Sequence, residues 1–458
     1  MTDLLNFSSY IQKKIPIHMI GIGGVSMASI AKTLHSRGAI VRGSDMAASP
    51  ATEELSALGI AVMIGHDAAH LSDAGLVIYS AAIHEDNPER QAALSASVPM
   101  VERAVALGAL MDEYAQVICV SGTHGKSSTT AMISVMAMAL SLDPTIMLGA
   151  TLPQLGSGLR LGESQLFIAE ACEYSDSFLQ FSPNIAVILN VEHDHLDYFP
   201  TFDDFKRSFS AFAEGLRPGG TVCVNADDEN ACLCAVFCGH AVFTFGIHAG
   251  MLSASNISYS TEGTQFDLVF EGKVVAPVSL RTMGEHNVLN ALGAMAALYV
   301  AGYSFTEIAG AILQYTGISR RFEYRGMCKG AAVIDDYAHH PGEITATLQS
   351  VKSMGFKRVF CVFQPHTYTR AKGLLEPFAQ SLALADQVVL AEIYAARETN
   401  PDGFSSKVIA DKIDGGKFFD SFPGIASYLL SEVSEGDLIL TMGAGDVYKV
   451  IDLLPLEC

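Results

Sequence analysis

Short apolar runs that end in polar or glycine-rich segments recur along the chain of 458 residues. The run "IPIHMI" enters "GIGG", "QVICV" enters "SGTHGKSS", and "LFIA" and "AVILNV" run into acidic segments. Towards the end, "AAVI", "RVFCVF", "QVVLAEIY" and "DLILTM" each lead into a polar loop. Strands that alternate with helical patterns are typical of parallel sheets covered by helices, so we predict a doubly wound α/β fold.

One stretch departs from this pattern. The segment "TQFDLVFEGKVVAPVSL" alternates apolar and polar residues around Glu271 and Gly272, which predicts a β-hairpin. The apolar segment "HNVLNALGAMAALYV" that follows predicts a buried helix. A chain of this length favours about three domains.

The first glycine-rich turn contains Gly21, Gly23 and Gly24 between a strand and a helix. This arrangement opens mononucleotide-binding units of the Rossmann type. Asp45 follows the second strand at the distance of an acid that contacts a ribose, and Ser80 ends the third strand. The turn by itself is compatible with NAD, with another nucleotide, or with a tight structural turn only.

The second turn, GxxGKS over residues 122–127, is a phosphate-binding loop shortened by two residues. Strand, loop and helix occur in the required order, so the start of the helix offers free N–H groups to an anion. In such a loop Lys126 contacts the β and γ phosphates and Ser127 ligates Mg²⁺.

Two candidate metal ligands follow neighbouring apolar strands. Glu170 comes directly after "LFIA", and His195 lies in the "EHDHLD" segment after "AVILNV". Since the carboxyl ends of parallel strands meet at one edge of a sheet, we expect both near the phosphate loop. Glu173 and Asp176 compete for the acidic role, and His195 is either a metal ligand or a supporting histidine.

Composition excludes several classes of protein. The net charge is −21 without a basic stripe, which disfavours nucleic acid as a partner. The longest apolar stretch is too short to cross a bilayer and the N-terminus does not resemble a secretion signal, so we expect a cytoplasmic protein without membrane association. An odd number of cysteines, nine, argues against a disulfide framework. The cluster Cys232, Cys234, Cys238 and His240 is either a set of thiols or a zinc site of unusual spacing.

A series of motifs in fixed order resembles the Mur ligase family between residues 17 and 446. The motifs are "GIGGVSM", "GTHGKS", "EACEYSDSF", "NVEHDHLD", "GEHNVLNAL", "GISRRFE", "DDYAHHPGEI", "FQPHTYTR" and "GAGD". The resemblance implies an ATP-dependent ligase of peptidoglycan precursor synthesis that adds L-alanine to the carboxylate of UDP-N-acetylmuramate through an acyl phosphate. It also implies two Mg²⁺ ions, replaceable by Mn²⁺, and a monomer or homodimer.

The resemblance further implies three domains. These are a Rossmann-like UDP-sugar-binding domain over residues 1–112, a central P-loop ATP-binding domain with a parallel sheet and a small antiparallel part over 113–318, and a Rossmann-like amino-acid-binding α/β domain over 319–458.

Matching positions carry the family's functional residues onto this chain. The ATP-binding residues are Gly122, Thr123, His124, Gly125, Lys126, Ser127, Ser128, Asn287, Asn290, Arg321 and Asp336. The metal ligands are Ser127, Glu170 and His195. The UDP-sugar residues are Gly21, Gly23, Gly24, Asp45, His66 and Ser80. The amino-acid residues are Tyr337, His339, His366 and Arg370. The catalytic residues are Lys126, Glu170, His195, Arg321 and His339.

Two positions depart from relatives in the family. Thr367 replaces an arginine found in some of them, so recognition of the amino-acid carboxylate rests on Arg370. Other members hold a carbamylated lysine near the second metal, for which Lys206 is a remote candidate.

Three other functions remain open. One is a ligase of the same family that joins a tripeptide to the same UDP-sugar. Another is an NAD-dependent dehydrogenase, and the third is a nucleotide-gated binding protein without ligase chemistry.

Overall fold

The computed structural model describes residues 5–195, 198–260, 263–352, 354–396, 398–400 and 402–457. Leu196 and Asp197 of the "EHDHLD" segment lie outside these ranges. The described residues form two compact units. The first lies within Met1–Ser258, Gln265–Leu280 and Val288–Tyr315, and the second within Tyr259–Thr264, Arg281–Asn287 and Thr316–Cys458.

The N-terminal sheet belongs to the first unit. Its described strands are all parallel, in the order β3-β2-β1-β4-β5. The strands are β1 Ile17–Ile20, β2 Val41–Asp45, β3 Ala61–Ile64, β4 Leu76–Tyr79 and β5 Met100–Glu102. The helices are α1 Phe7–Gln12, α2 Val25–Ser36, α3 Pro50–Ala57, α4 Pro88–Ser95 and α5 Arg103–Met111. Strand order reverses beside β1, which places the glycine turn after β1 at the point where such sheets bind ligands.

The central sheet, most of which lies in the first unit, has the order β15-β14-β13-β12-β11-β10-β6-β9-β7-β8 in the described part of the chain. Its first strands are β6 Gln116–Ser121, β7 Thr145–Leu152, β8 Ser157–Arg160, β9 Leu166–Glu170 and β10 Ile185–Ile188. The remaining strands are β11 Thr221–Asn225, β12 Ala241–Phe245, β13 Leu252–Ser260, β14 Gly263–Phe270 and β15 Lys273–Leu280. The helices are α6 Lys126–Ala139, α7 Phe202–Glu214, α8 Glu229–Ala235, α9 Glu285–Val300 and α10 Phe305–Ala311.

The predicted hairpin is confirmed. β14 and β15 are neighbours in the sheet, joined by Glu271 at φ 48° and Gly272 at φ 76°. Two successive positive φ angles match the right-handed twist of the strands that the turn joins. The core of the sheet is parallel, since β6 pairs in parallel with both β9 and β10.

The C-terminal sheet forms the core of the second unit, in the order β16-β17-β21-β18-β19-β20 over the described residues. The strands are β16 Glu323–Cys328, β17 Ala331–Asp336, β18 Val359–Phe363, β19 Gln387–Ala391, β20 Lys417–Phe419 and β21 Leu438–Met442. The helices are α11 Pro341–Lys352, α12 Tyr368–Gly373, α13 Leu375–Leu382, α14 Lys407–Ala410 and α15 Phe422–Glu432. Only the edge pair β16 and β17 is antiparallel among the described pairings of this sheet.

The predicted α/β class is confirmed by these three sheets. Each predicted domain encloses one sheet, over residues 17–102, 116–280 and 323–442. The domain boundaries themselves stay a prediction, since the chain separates into two compact units rather than three. Within the described residues, no helix combines the length and apolarity needed to cross a membrane.

Candidate active site

The phosphate loop lies between β6 and α6, as the sequence predicts. Gly122 and Gly125 have φ angles of 137° and 84°, a region that side chains with a Cβ rarely adopt. A Cβ on Gly125 would lie 2.4 Å from Oδ1 of Asn290. The loop therefore needs glycine at this position for two reasons, and the side chain of Asn290 lies against the loop.

Asn190 holds the loop and was missed by the sequence analysis. Its carbonyl accepts the N–H of Thr123 at 3.1 Å, and its Oδ1 accepts the N–H of His124 at 2.7 Å. Its Nδ2 donates to the carbonyl of His124 at 3.1 Å. Thr123 and His124 thus use their N–H groups to shape the loop, and the first turn of α6 retains the N–H groups available to an anion. Asparagine directly after the strand "AVIL" was the available signal.

Lys126 forms an ion pair with Glu173, one of the three acids that compete for the acidic role. Its Nζ lies 2.9 Å from Oε1 of Glu173 and also donates to the carbonyls of Gly122 and Thr123. Burial by itself lowers the pKa of Lys126, but the neighbouring Glu173 outweighs it and the pKa is raised. Lys126 therefore stays a cation at the mouth of the loop.

The candidate metal ligands Ser127 and Glu170 meet at the edge of the central sheet. Ser127 Oγ donates to Oε2 of Glu170 at 3.0 Å, and the other carboxylate oxygen accepts the N–H of Gly149 at 2.8 Å. A hydroxyl and a carboxylate beside a phosphate loop form the oxygen donor set that Mg²⁺ prefers, so these residues fit the expected cation.

His195 reaches the same group of residues through Glu173. Its Nε2 lies 3.5 Å from Glu173 Oε1. Glu173 is 1 % exposed, and its Oε2 has no hydrogen-bond partner among the described residues. Burial raises the pKa of Glu173, but Lys126 and then His195 hold it below its ordinary value. Because Glu173 is a buried anion with one unused oxygen, it is a further candidate ligand for a cation at this site.

Asp176, the third competing acid, has a structural role. Its carboxylate accepts hydrogen bonds from Tyr198 at 2.8 Å and from Ser208. These contacts tie the segment after β9 to α7. The structure thus gives different contacts to Glu170, Glu173 and Asp176, which the sequence could not rank as candidate metal ligands.

The N-terminal glycine turn also forms as predicted. Gly21 has a φ of 79°, and a Cβ there would lie 3.5 Å from Cβ of Ser80, so the turn and the end of β4 are adjacent. Asp45 Oδ2 accepts the N–H of Gly23 at 2.8 Å. Asp45 therefore holds the turn closed, which differs from the free ribose-reading acid of a dinucleotide site.

Arg103 is a second residue that the sequence analysis missed. Its guanidinium donates to Oγ of Ser26 at 3.3 Å and to Oγ of Ser177 at 3.5 Å. It therefore links the first turn of α2, beside the glycine turn, with the 3₁₀ helix Tyr174–Gln180 that follows Glu173.

The second unit gathers the predicted amino-acid residues. Arg321 lies over the ring of Tyr337 at 4.9 Å and 3.7 Å from Oε1 of Glu343. Glu343, which the sequence analysis missed, also accepts the N–H of His339 at 2.9 Å. The rings of His339 and His366 are 6.3 Å apart. Tyr337, His339 and His366 lie on the loops after β17 and β18, which end at one edge of the sheet, whereas Arg321 precedes β16 and Glu343 belongs to α11.

Asp336 and Asn287 also lie in the second unit. Asp336 accepts the N–H groups of Phe322 and Ala338, both at 2.7 Å. Burial raises its pKa to about 6, although Arg321 opposes the shift. Asn287 donates to the carbonyl of Met283 at 2.7 Å at the start of α9.

The structure also describes the surroundings of Thr367, of Lys206 and of the cysteine cluster. Thr367 accepts the N–H of Arg370 at 3.4 Å and so caps α12 with a positive φ of 65°. Lys206 pairs with Asp203 at 2.9 Å. The thiols of Cys232, Cys234 and Cys238 approach different backbone carbonyls, which favours ordinary thiols over a zinc site.

Comparison with known proteins agrees with these features. Three family models match the chain: "Mur ligase family, catalytic domain" over residues 16–115, "Mur ligase middle domain" over 120–298, and "Mur ligase, glutamate ligase domain" over 320–445. The UDP-N-acetylmuramate--L-alanine ligase of Lachnospira eligens is 46% identical over 444 residues, which cover 95% of this chain and 97% of the relative.

Solved structures give the same picture. The UDP-N-acetylmuramate-alanine ligase of Thermotoga maritima superposes with a TM-score of 0.80 at 30% identity, over 96% of this chain and 98% of that one. A murein peptide ligase from Psychrobacter arcticus superposes with a TM-score of 0.70 at 26% identity, over 96% and 98% of the two chains. With the phosphate loop, the Ser127–Glu170 pair and the three sheets in place, the chain belongs to the Mur ligase family.

Proposed function

We propose that this protein is an ATP-dependent ligase that joins L-alanine to the carboxylate of UDP-N-acetylmuramate in peptidoglycan precursor synthesis. The observation that carries the proposal is the assembled phosphate loop, in which Lys126 and the Ser127–Glu170 pair lie at one sheet edge. Relatives named for this activity that are 42–46% identical over nearly the full chain support the choice of substrates.

ATP and a divalent cation follow from that reaction. Ser127 and Glu170 would hold one Mg²⁺, and His195 would hold a second, with Mn²⁺ able to replace either. Such cations offset the repulsion between the triphosphate and the substrate carboxylate. Glu173, with one buried and unused oxygen, is available to the same cations.

The reaction proceeds in two transfers. The muramate carboxylate attacks the γ-phosphorus, ADP leaves from that phosphorus, and an acyl phosphate is formed. The L-alanine amine then attacks the acyl carbon, and the tetrahedral intermediate collapses to amide and phosphate. Lys126 and Arg321 neutralise the phosphoryl oxygens, so the chain contributes positioning and charge rather than a covalent intermediate.

Each substrate has a proposed set of contacts. The remaining residues of the phosphate loop, Gly122, Thr123, His124, Gly125 and Ser128, together with Asn287, Asn290 and Asp336, complete the ATP site. Gly21, Gly23, Gly24, Asp45, His66 and Ser80 bind the UDP-sugar. Arg370 pairs with the carboxylate of L-alanine, and Tyr337, His339 and His366 complete that pocket. We propose His339 as the group of this set that accepts the proton of the amine. We propose a cytoplasmic monomer or homodimer.

A ligation assay tests the proposal. UDP-N-acetylmuramate and MgATP are offered with L-alanine or with the tripeptide in separate reactions, and ADP and amide product are measured. We expect ADP release only when sugar and L-alanine are both present. Preference for the tripeptide would assign the chain to the other ligase. Release of ADP in the absence of L-alanine and the tripeptide would show that ATP is hydrolysed without ligation, and would contradict the ligase proposal. Binding of NADH in a fluorescence titration would favour a dehydrogenase.

A further inference from the structure

A buried carboxylate in the N-terminal sheet contacts side chains from four other segments. Glu89, in the first turn of α4, is fully buried. Its Oε2 accepts a hydrogen bond from Ser44 at 2.5 Å and lies 3.2 Å from Nδ1 of His66. Its Oε1 lies 2.6 Å from Nδ1 of His70. His18, on β1, approaches Oε2 to 3.6 Å from inside the sheet.

This cluster is connected to the glycine turn. Besides bonding Glu89, Ser44 accepts the backbone N–H groups of Gly21 and Ile22 on its carbonyl, at 2.8 and 3.0 Å. Ser44 Oγ also lies 3.1 Å from Nδ1 of His66. The turn, the end of β2 and the segment after β3 therefore share one hydrogen-bond network, with Glu89 at its centre.

The carboxylate determines how the imidazoles are oriented. Burial raises the pKa of Glu89, but the neighbouring His18 and the hydrogen bonds from Ser44 and His70 outweigh it and lower the pKa to about 2. An ionised carboxylate only accepts hydrogen bonds, so Nδ1 of His66 and His70 must carry the proton. In the described residues neither Nε2 has a hydrogen-bond partner within the chain, which leaves that atom of each ring for a ligand.

His18, on β1, is a buried neighbour of the carboxylate. Its side chain has no exposed surface, and both ring nitrogens lack a hydrogen-bond partner among the described residues. Buried polar atoms of this kind are costly, so their retention beside Glu89 argues for a charge-based role of the cluster rather than simple packing.

We propose that Glu89 is a positioning residue of the nucleotide-sugar site, which orients His66 and His70 towards the diphosphate and fixes the glycine turn through Ser44. This inference rests on the proposed function, since it takes the UDP-sugar as the ligand of the N-terminal sheet.

Steady-state kinetics of Glu89→Gln test the proposal, because glutamine keeps the volume and removes the charge. We expect the KM for UDP-N-acetylmuramate to rise about tenfold, with kcat and the KM values for ATP and L-alanine within about twofold. His66→Gln should raise the same KM. The double variant should lose less than the product of the single effects, because both changes remove one interaction.

Asp437→Asn is the matched control. Asp437 is also a fully buried carboxylate, but it pairs with Arg358 in the C-terminal sheet. Removal of the Asp437 charge should lower thermal stability without a selective rise in the KM for the UDP-sugar. The proposal is overturned when Glu89→Gln leaves that KM within twofold of wild type, or raises all three KM values equally.

Two further measurements keep the result decisive. If Glu89→Gln does not fold, the partly exposed His66 and His70 are each changed to Gln, and an unchanged KM for the UDP-sugar in both variants rejects the proposal. Calorimetric titration of wild type and Glu89→Gln with UDP-N-acetylmuramate distinguishes a failure of the proposed function from a failure of the role assigned to Glu89. Absence of binding by wild type refutes the proposed function, whereas equal binding by wild type and Glu89→Gln refutes only the role of Glu89.

Discussion

Lys126 and Glu173 form a pair of opposite charges directly beside the phosphate loop. The pair is 2.9 Å long, and Glu173 is almost fully buried. In the proposed function a bound triphosphate is a stronger anionic partner for Lys126, which would leave the carboxylate of Glu173 to pair with the divalent cation or with His195. One lysine therefore has two alternative partners at the same site, and its charge is required with both.

Lys126→Ala should abolish turnover, lowering kcat by about 10³-fold or more, because it removes the charge that meets the phosphoryl oxygens. Binding of the UDP-sugar should change little, since its proposed contacts lie on the N-terminal sheet. Coupled ADP release and calorimetry with UDP-N-acetylmuramate measure the two effects. Lys407→Ala, which removes an exposed lysine paired with Asp411, should leave both unchanged. A parallel loss of sugar binding in Lys126→Ala would contradict the separation of the sites.

The raised pKa of Asp336 predicts a pH-dependent stability. Its pKa is about 6 in the folded protein against an ordinary 3.8, so the folded state binds a proton that the unfolded chain does not. Stability from this group is therefore present below about pH 4 and lost as pH rises through 6. Between pH 7.5 and 5, wild type should gain about 1 kcal/mol relative to Asp336→Asn.

Urea denaturation at the two pH values measures that difference. Other titrating groups cancel in the comparison, including His286, whose pKa burial and then Arg321 lower to about 4. An identical pH response of wild type and Asp336→Asn would show that the carboxyl is not perturbed.

Among the secondary-structure elements, strands that end at one sheet edge place the candidate site residues close together. Contacts between helices then fix the N-terminal and central sheets of the first unit against each other. Helix α5, which follows the N-terminal sheet, packs against the 3₁₀ helix Tyr174–Gln180 of the central part. Arg217 strengthens this region by donating to the carbonyls of Met111 and Tyr114 at 3.0 and 2.7 Å. The segment after Glu173 is thus fixed by packing from the N-terminal side.

Gly108 is required for that packing. A Cβ at this position would lie 2.1 Å from the carbonyl oxygen of Gln180, which is backbone and cannot move aside as a side chain can. Gly108→Ala should destabilise the protein by about 1–3 kcal/mol and raise the KM of at least one substrate. Thermal unfolding and kinetics measure both effects.

Gly310→Ala provides the control within a helix of the same unit. A Cβ there meets no atom within 4 Å, so the change should stabilise the protein by about 0.5 kcal/mol through helix propensity. If the two variants were equally stable, the close packing of α5 would be refuted.

At the scale of the whole molecule, anionic substrates meet a strongly acidic protein. The net charge of −21 gives no general attraction for ATP or the UDP-sugar. Attraction must therefore come from local groups, and we propose that these are the helix N-termini after both glycine turns, Lys126 and Arg321. Consistent with this, the cationic side chains of the proposed site, all among the described residues, lie near sheet edges and do not form a basic patch on the protein surface.

The two compact units predict a heat-unfolding profile with more than one transition. UDP at about 100 times its dissociation constant should stabilise the unit that holds the N-terminal sheet by about 2.7 kcal/mol. The transition of the C-terminal sheet should move less. Scanning calorimetry with and without UDP measures both transitions, and hydrogen exchange assigns each to its unit. Equal shifts of both transitions would argue against a UDP site confined to the first unit.

Local sequence patterns predict the fold class, the position of both glycine turns and the presence of an acid beside Ser127. Each of these follows from local chemistry. Apolar runs form strands, glycines permit positive φ, and residues directly after parallel strands arrive at one edge whatever the strand order. The ordered motifs also determined the family, and the comparisons confirm it.

Only the tertiary structure decided which polar side chains become partners. It separated Glu170, Glu173 and Asp176, placed Asn190 on the phosphate loop, and gathered three histidines and Ser44 around Glu89. Such contacts join residues from distant segments over about 3 Å, so they depend on strand order, helix packing and rotamers together. Local sequence patterns fix none of these three, because side chains with the same spacing can turn to different neighbours.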